Sequence, residues 1–183
     1  MRHPLSVRWV LCLVAWSLCL AGASATVILP ADFTTVVAGS GVIVHGRVTS
    51  VTSHLTGPQR AIESVVTVAV IQSLKGDAGG TVSFRVPNGQ VGRYKRVLVG
   101  APEFTAGDEV VVFLQGRPPA MPSVFGLNQG LYRVSRDAAA RAMVMPPRMA
   151  GSEGRVVRGD PARVAMPIEA FAREVRAAVE RAR

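Results

Sequence analysis

Beyond residue 25 the chain contains no cysteine and no tryptophan, because Cys12, Cys19, Trp9 and Trp16 all fall within the first twenty-five residues. That absence excludes disulfides, thiol nucleophiles, cysteine-based zinc sites and iron–sulfur clusters from the remainder. Lysine is nearly missing too: past Arg8 only Lys75 and Lys95 accompany seventeen arginines. Such a bias is better explained by base composition of the coding sequence than by selection for phosphate recognition. Several motifs are absent as well. There is no Gly-x-Ser-x-Gly elbow, no Gly-x4-Gly-Lys-Ser/Thr phosphate cradle, no dinucleotide fingerprint and no His-Glu-x-x-His pair. No Asn-x-Ser/Thr sequon occurs either.

The discarded cysteines and tryptophans sit in a recognisable segment. Arg2 and Arg8 form a basic start, an apolar run spans Trp9 to Leu20, and Ala21-Gly22-Ala23-Ser24-Ala25 places small residues at −3 and −1. This pattern predicts a secretory signal peptide over 1–25, cleaved after Ala25. A retained anchor is the alternative, but the twelve-residue run falls short of the ~20 residues a membrane span needs. Lipid attachment is excluded because Leu11 and Leu18, rather than small residues, precede Cys12 and Cys19. The expected location is therefore the periplasm or the extracellular space, without a membrane span after cleavage.

Cleavage leaves 158 residues, enough for one domain with its own apolar core. Of twenty-one basic residues, losing Arg2 and Arg8 leaves nineteen against twelve acidic ones, a net charge of +7. The expected organisation is a β-barrel domain over 26–145, a Gly/Pro/Arg-rich loop or linker over 146–166, and a C-terminal helix over 167–183. Within it, Asp32 and Gly39 bracket a short helix. Val42, Val44 and Val48 alternate with His45, Arg47 and Thr49 in a first long strand, and His54 to Arg60 forms the turn. Ile62, Val66, Val68 and Val70 mark a second long strand, and Val82, Phe84 and Val86 a third. A fourth is expected over Tyr94 to Val99. The almost wholly apolar Glu109–Gln115 predicts a strand buried on both faces, which needs a layer packed over its outer side. Shorter strands are expected near 124–126, 131–134 and 142–145. At the end, Ile168, Phe171, Val175 and Val179 recur at helical spacing. That stripe is narrow and lacks tryptophan, so docking on the sheet is favoured over lying on a membrane. Together these elements predict a mainly β fold: a small, OB-like antiparallel barrel with a short N-terminal helix and a docked C-terminal amphipathic helix. An open sandwich is the alternative.

Candidate functional residues are few. His45 and His54 lie nine residues apart with opposite parity. Their spacing suits a solvated strand residue and a turn residue better than a two-histidine metal site. Asp108-Glu109 follows Gly107 as a turn would, and no catalytic group, metal ligand or cofactor site is assigned. Arg93-Tyr94-Lys95-Arg96 places an aromatic among cations. It is either a surface for stacking on a base or sugar and neutralising phosphates, or a solvated hairpin edge. Asn128 and Gln129, between Gly126 and Gly130, are either plain turn residues or amides offered to a partner.

One ordered series carries a resemblance. It runs from Val42-Ile43-Val44-His45-Gly46-Arg47-Val48 to Leu74-Lys75-Gly76, then Val82-Ser83-Phe84-Arg85-Val86-Pro87, then Gly107-Asp108-Glu109 before Val110-Val111-Val112-Phe113-Leu114. It resembles a group of uncharacterised secreted bacterial proteins and, more distantly, the netrin-like OB-fold domain of tissue inhibitors of metalloproteinases. The likeness spans about Phe33 to Val134 and implies a five-stranded OB-type barrel with extra strands and a helix. Those inhibitors chelate the protease zinc through an amino-terminal cysteine held by disulfides. A chain beginning near Thr26 has no cysteine to do so, and no functional residue carries over. The expected function is a non-enzymatic secreted binding module for a protein partner in the envelope or outside the cell, with a protease-directed role as inhibitor or accessory domain. The alternative is an envelope protein that binds anionic polymers through its basic surface.

Overall fold

The computed structural model describes residues 30–58, 60–116, 119–150, 156–158 and 163–182. The expected signal peptide, with both cysteines and both tryptophans, lies outside the described residues, as do 151–155 and 159–162 of the expected loop. The elements in order are α1 (Phe33–Gly39), β1 (Val42–Thr56), β2 (Ala61–Lys75), β3 (Thr81–Val86), β4 (Gly89–Val91), β5 (Tyr94–Arg96) and β6 (Glu109–Gln115). They continue with β7 (Ser123–Val124), β8 (Leu131–Arg136), β9 (Ala142–Met145), β10 (Arg148–Ala150), β11 (Val156–Arg158), β12 (Met166–Pro167) and α2 (Ile168–Arg181).

Five strands close a barrel in the order β1-β2-β3-β7-β6, with β6 returning to β1. All neighbours are antiparallel except β3 and β7. Closure is possible because β1 is long and irregular. Its register against β2 shifts between Ile43 and Val44, between His45 and Gly46, and between Val48 and Ser50. Such bulges bend a strand and increase its twist, so β1 holds β2 on one edge and β6 on the other. Gly46 sits at one of them, where a Cβ would overlap the Ala69 carbonyl oxygen and a Val68 methyl. Beyond the ring, the free part of the β6 edge continues into β8, β9 and β12.

Strand β6 divides the hydrophobic interior in two. Val110, Val112 and Leu114 point into the barrel beside Val44, Val66 and Phe84. Val111 and Phe113 point outward, under α1 and α2, beside Phe33, Tyr132, Phe171 and Val175. The outer layer is a set of edge-on and tilted rings, with Tyr132 and Phe171 centroids 4.9 Å apart and Phe33 and Phe171 centroids 5.7 Å apart. The layer required by a doubly buried strand is therefore the helix pair. The docked C-terminal helix buries Ile168, Phe171, Ala172, Val175 and Ala178.

Local chemistry delimits α1. The Asp32 carboxylate accepts from Thr35 N at 2.7 Å, and this bond holds its carboxyl below the usual range. At the other end Ser40 Oγ donates to Val36 O at 2.7 Å, and Lys75 Nζ donates to Val37 O at 2.7 Å. A cation on the carbonyl end of a helix is favourable. Partial burial lowers the Lys75 ammonium below its ordinary value.

Several expectations are corrected. The first turn is shorter than His54 to Arg60: His54 belongs to β1, exposed and opposite Glu63, and the strands extend to Thr56 and from Ala61. His45 is not a solvated strand residue but is buried. The fourth strand stops at Arg96 and pairs only with β4, in a two-stranded hairpin separate from the main sheet. Near 124–126 the strand is Ser123–Val124, followed at once by a turn. The expected loop over 146–166 contains the β10–β11 pair and Met166, which joins β9 through β12. If the terminal helix belongs to one cooperative unit with the barrel, Phe171→Ala lowers stability by about 3–5 kcal/mol. The exposed Arg173→Ala changes it by less than about 0.5 kcal/mol. Chemical denaturation midpoints of the two variants measure the difference.

Candidate functional site

The long β1–β2 pair carries the β4–β5 hairpin, and serine hydroxyls hold it there. Gln90 N donates to Ser53 Oγ at 3.1 Å, the Ser53 and Ser64 hydroxyls lie 2.8 Å apart, and Ser64 Oγ donates to Asn88 O at 2.7 Å. Each hydroxyl has one proton, so the three bonds form one directed chain from Gln90 to Asn88. Gly89 is essential to this approach: its φ is +153°, and a Cβ would overlap both hydroxyls.

This hairpin separates the four basic-segment residues. Arg93, Tyr94 and Lys95 are exposed. The Arg93 guanidinium lies 5.2 Å from the Tyr94 ring centroid and donates to Tyr94 Oη at 3.0 Å, so one face of the ring is already occupied. Arg96 turns back and donates to Ile62 O at 3.3 Å. The four do not converge on a common point.

Past Arg96 the chain leaves the hairpin as an apolar loop. Val97 is 65 %, Leu98 39 % and Val99 64 % exposed. The loop is nonetheless closed by an internal turn and tied at its far end. Ala101 N donates to Leu98 O at 3.0 Å, Asn88 Nδ2 donates to Pro102 O at 2.8 Å, and Phe104 packs edge-on against Phe84. Across from it stand Leu131, Arg133 and Ser135 of β8 and Met145 at the end of β9. A groove of about 880 Å³ lies between, with Pro146 and Pro147 on the far wall and Asn128 beside it. Arg133 fixes one side by donating to Asp108 Oδ2 at 2.7 Å and to Glu103 O at 2.5 Å.

Of the residues anticipated from sequence, Asn128 lines this groove and Arg96 leads into its apolar wall. Arg93, Tyr94 and Lys95 line neither this groove nor a second cavity beside β3 and β7. Gln129 is buried, and its Oε1 accepts from Ala31 N at 2.6 Å, ahead of α1. Its amide is used inside the fold.

Sequence reasoning missed two features. The sequence reads Val97-Leu98-Val99 as the end of a strand, and its exposure follows only from the hairpin ending at Arg96. The other is an ionic cluster on the outer face. Glu109 Oε1 lies 2.9 Å from His45 Nε2, while Glu109 Oε2 lies 3.2 Å from Arg47 and 3.9 Å from Arg136. The pairing of Arg47 with Glu109 across β1 and β6 creates it, and no short-range pattern signals that pairing. His54 lies elsewhere on β1, and no group of three or more candidate metal ligands occurs among the described residues.

No family model, no curated protein and no solved structure matches this chain. The functional argument therefore stands on the groove and its walls. Because Gly89 seats the hairpin, Gly89→Ala is expected to loosen it from Ser53 and Ser64. Limited trypsin digestion, followed by mass spectrometry, should then cut faster at Arg93, Lys95 and Arg96 than in the parent protein, with the cut at Arg133 in β8 unchanged.

Proposed function

We propose that the protein is a secreted, non-enzymatic binding module that takes a segment of a protein partner into the groove between loop 97–103 and β8–β9. The observation that carries this reading is the exposed Val97-Leu98-Val99 wall, held in place by the hydrogen bond from Asn88 to Pro102 O and by the packing of Phe104 on Phe84. Three neighbouring apolar side chains left in water on an anchored loop favour association, since covering a valine or leucine is worth about 1.5–3 kcal/mol. A rigid wall also lowers the ordering cost of binding. What favours binding over catalysis is the engagement of the acidic pair: Asp108 is tied to Arg133, and Glu109 to His45 and Arg47.

A protease of the envelope or medium is the sharpest form of this partner. The closed five-stranded ring with two long leading strands suits the OB-type barrel that the likeness to the netrin-like domain of metalloproteinase inhibitors implies. The contact would be made by the apolar loop, since the cysteine-based zinc chelation of those inhibitors is not available. The purified mature protein should slow a co-secreted metalloprotease, and Leu98→Asp should abolish the effect without lowering the melting temperature. Unchanged proteolysis at saturating protein would exclude the protease-directed form.

A second reading has its own observation. Among the described residues, Arg93 and Lys95 are exposed cations that pair with no carboxylate, whereas Arg47, Arg133 and Arg141 each do. Binding to an anionic polymer through them would fall steeply with salt. Retention on a heparin column should drop between low and physiological salt, and drop less for an Arg93→Gln, Lys95→Gln double variant. Flat retention rules this reading out.

A further inference from the structure

A second cavity, of about 480 Å³, lies on another part of the barrel, where β3 meets β7. That junction is the weakest seam of the ring. β7 has two residues, and its parallel pairing with β3 is confined to Arg85 and Ser123. With so short a strand closing the barrel, the interior comes near the surface there. Val86 and Val124, both members of the barrel core, line the cavity together with Leu127.

Leu127 does not lie on this wall by relaxation of a loose loop. Its φ is +61°, in the left-handed region that leucine rarely adopts. The turn that imposes it is bonded at Gly130 N to Phe125 O and at Leu131 N to Asn128 O. The apolar lining is therefore formed in advance of any ligand.

The rim is polar, and its charges are opposite. Val65 is the register partner of Arg85, so Glu63 stands on the same face of the neighbouring strand, one diagonal step away. Both line the cavity, and neither forms an ion pair with the other or with any described group. A cation and an anion that share the mouth of an apolar cavity without joining each other complement a ligand carrying both charges close together.

We infer that this cavity binds a small zwitterion with an apolar side chain, a free aliphatic amino acid being the simplest case. The carboxylate faces Arg85, the ammonium faces Glu63, and the side chain enters between Val124 and Leu127. A neutral apolar ligand would leave both charges unused, and a simple anion would be repelled by Glu63. The site is separate from the groove at loop 97–103 and does not depend on the reading given to it.

The test uses the mature protein and four probes: leucine, N-acetyl-leucine, leucinamide and sodium sulfate, each followed by amide chemical shifts. Leucine should give saturable shifts at Val124 and Leu127. N-acetyl-leucine lacks the cation and leucinamide lacks the carboxylate, so each should bind at least about tenfold more weakly. Arg85→Gln and Glu63→Gln should each cost leucine a similar factor, whereas Leu98→Asp should leave its binding intact. Because leucine and its two blocked derivatives are compared on the unaltered protein, the result does not depend on any variant folding. Absence of saturable shifts with leucine overturns the proposal. So does equal binding of leucine and either blocked derivative, which would describe an apolar cleft alone, or stronger shifts with sulfate, which would describe an anion site at Arg85.

Discussion

Burial of β6 on both of its faces is the constraint on which the rest of the structure depends. Its residues 110 to 114 are essentially inaccessible to water. They can be so only while a barrel closes over Val110, Val112 and Leu114 and two helices cover Val111 and Phe113. Neither half suffices alone, since an apolar strand with one bare face would expose a continuous hydrophobic stripe. The two layers are therefore coupled through one strand. The aromatic group around Phe171 does on the outer side what Phe84 and its valine neighbours do within the barrel.

Polar groups terminate these layers and set their ends. Asp108 and Glu109 stand where β6 begins, and each is held by side chains from other strands: Arg133 from β8, and His45 and Arg47 from β1. A carboxylate at the margin of an apolar layer is costly unless paired, and the partners here come from the strands that flank β6. The cluster thus marks the end of the doubly buried region. The serine chain from Gln90 to Asn88 satisfies backbone groups of a hairpin that joins no large sheet.

The two concave surfaces follow from these same limits. Loop 97–103 projects because the hairpin before it stops at Arg96 and Phe104 after it must reach Phe84. The apolar residues between are strung across a gap that the barrel does not fill. The smaller cavity exists because β7 closes the ring with only two residues. A tight turn with Leu127 in a left-handed conformation then borders the opening. Rigid secondary structure on either side holds both surfaces in shape, which is how loops on β scaffolds commonly present contacts.

Alternation and composition were enough to assign the mainly β character, the two long strands, the third strand, the short helix with its Asp32 cap, and the amphipathic terminal helix. Those features are local: a period of two or of 3.6 writes each face directly into the order of residues. The run from Val110 to Leu114 even required a covering layer before any partner was known. Long-range register is different in kind. The meeting of Glu109 with His45 and Arg47, the inward turn of Gln129 to Ala31, and the lining of one groove by Asn128 and Val97 to Val99 each join residues far apart in the chain. No local preference encodes which strands become neighbours or where a bulge shifts their pairing. Only the closed barrel decided those juxtapositions, because a single register lets all of the apolar faces be covered at once.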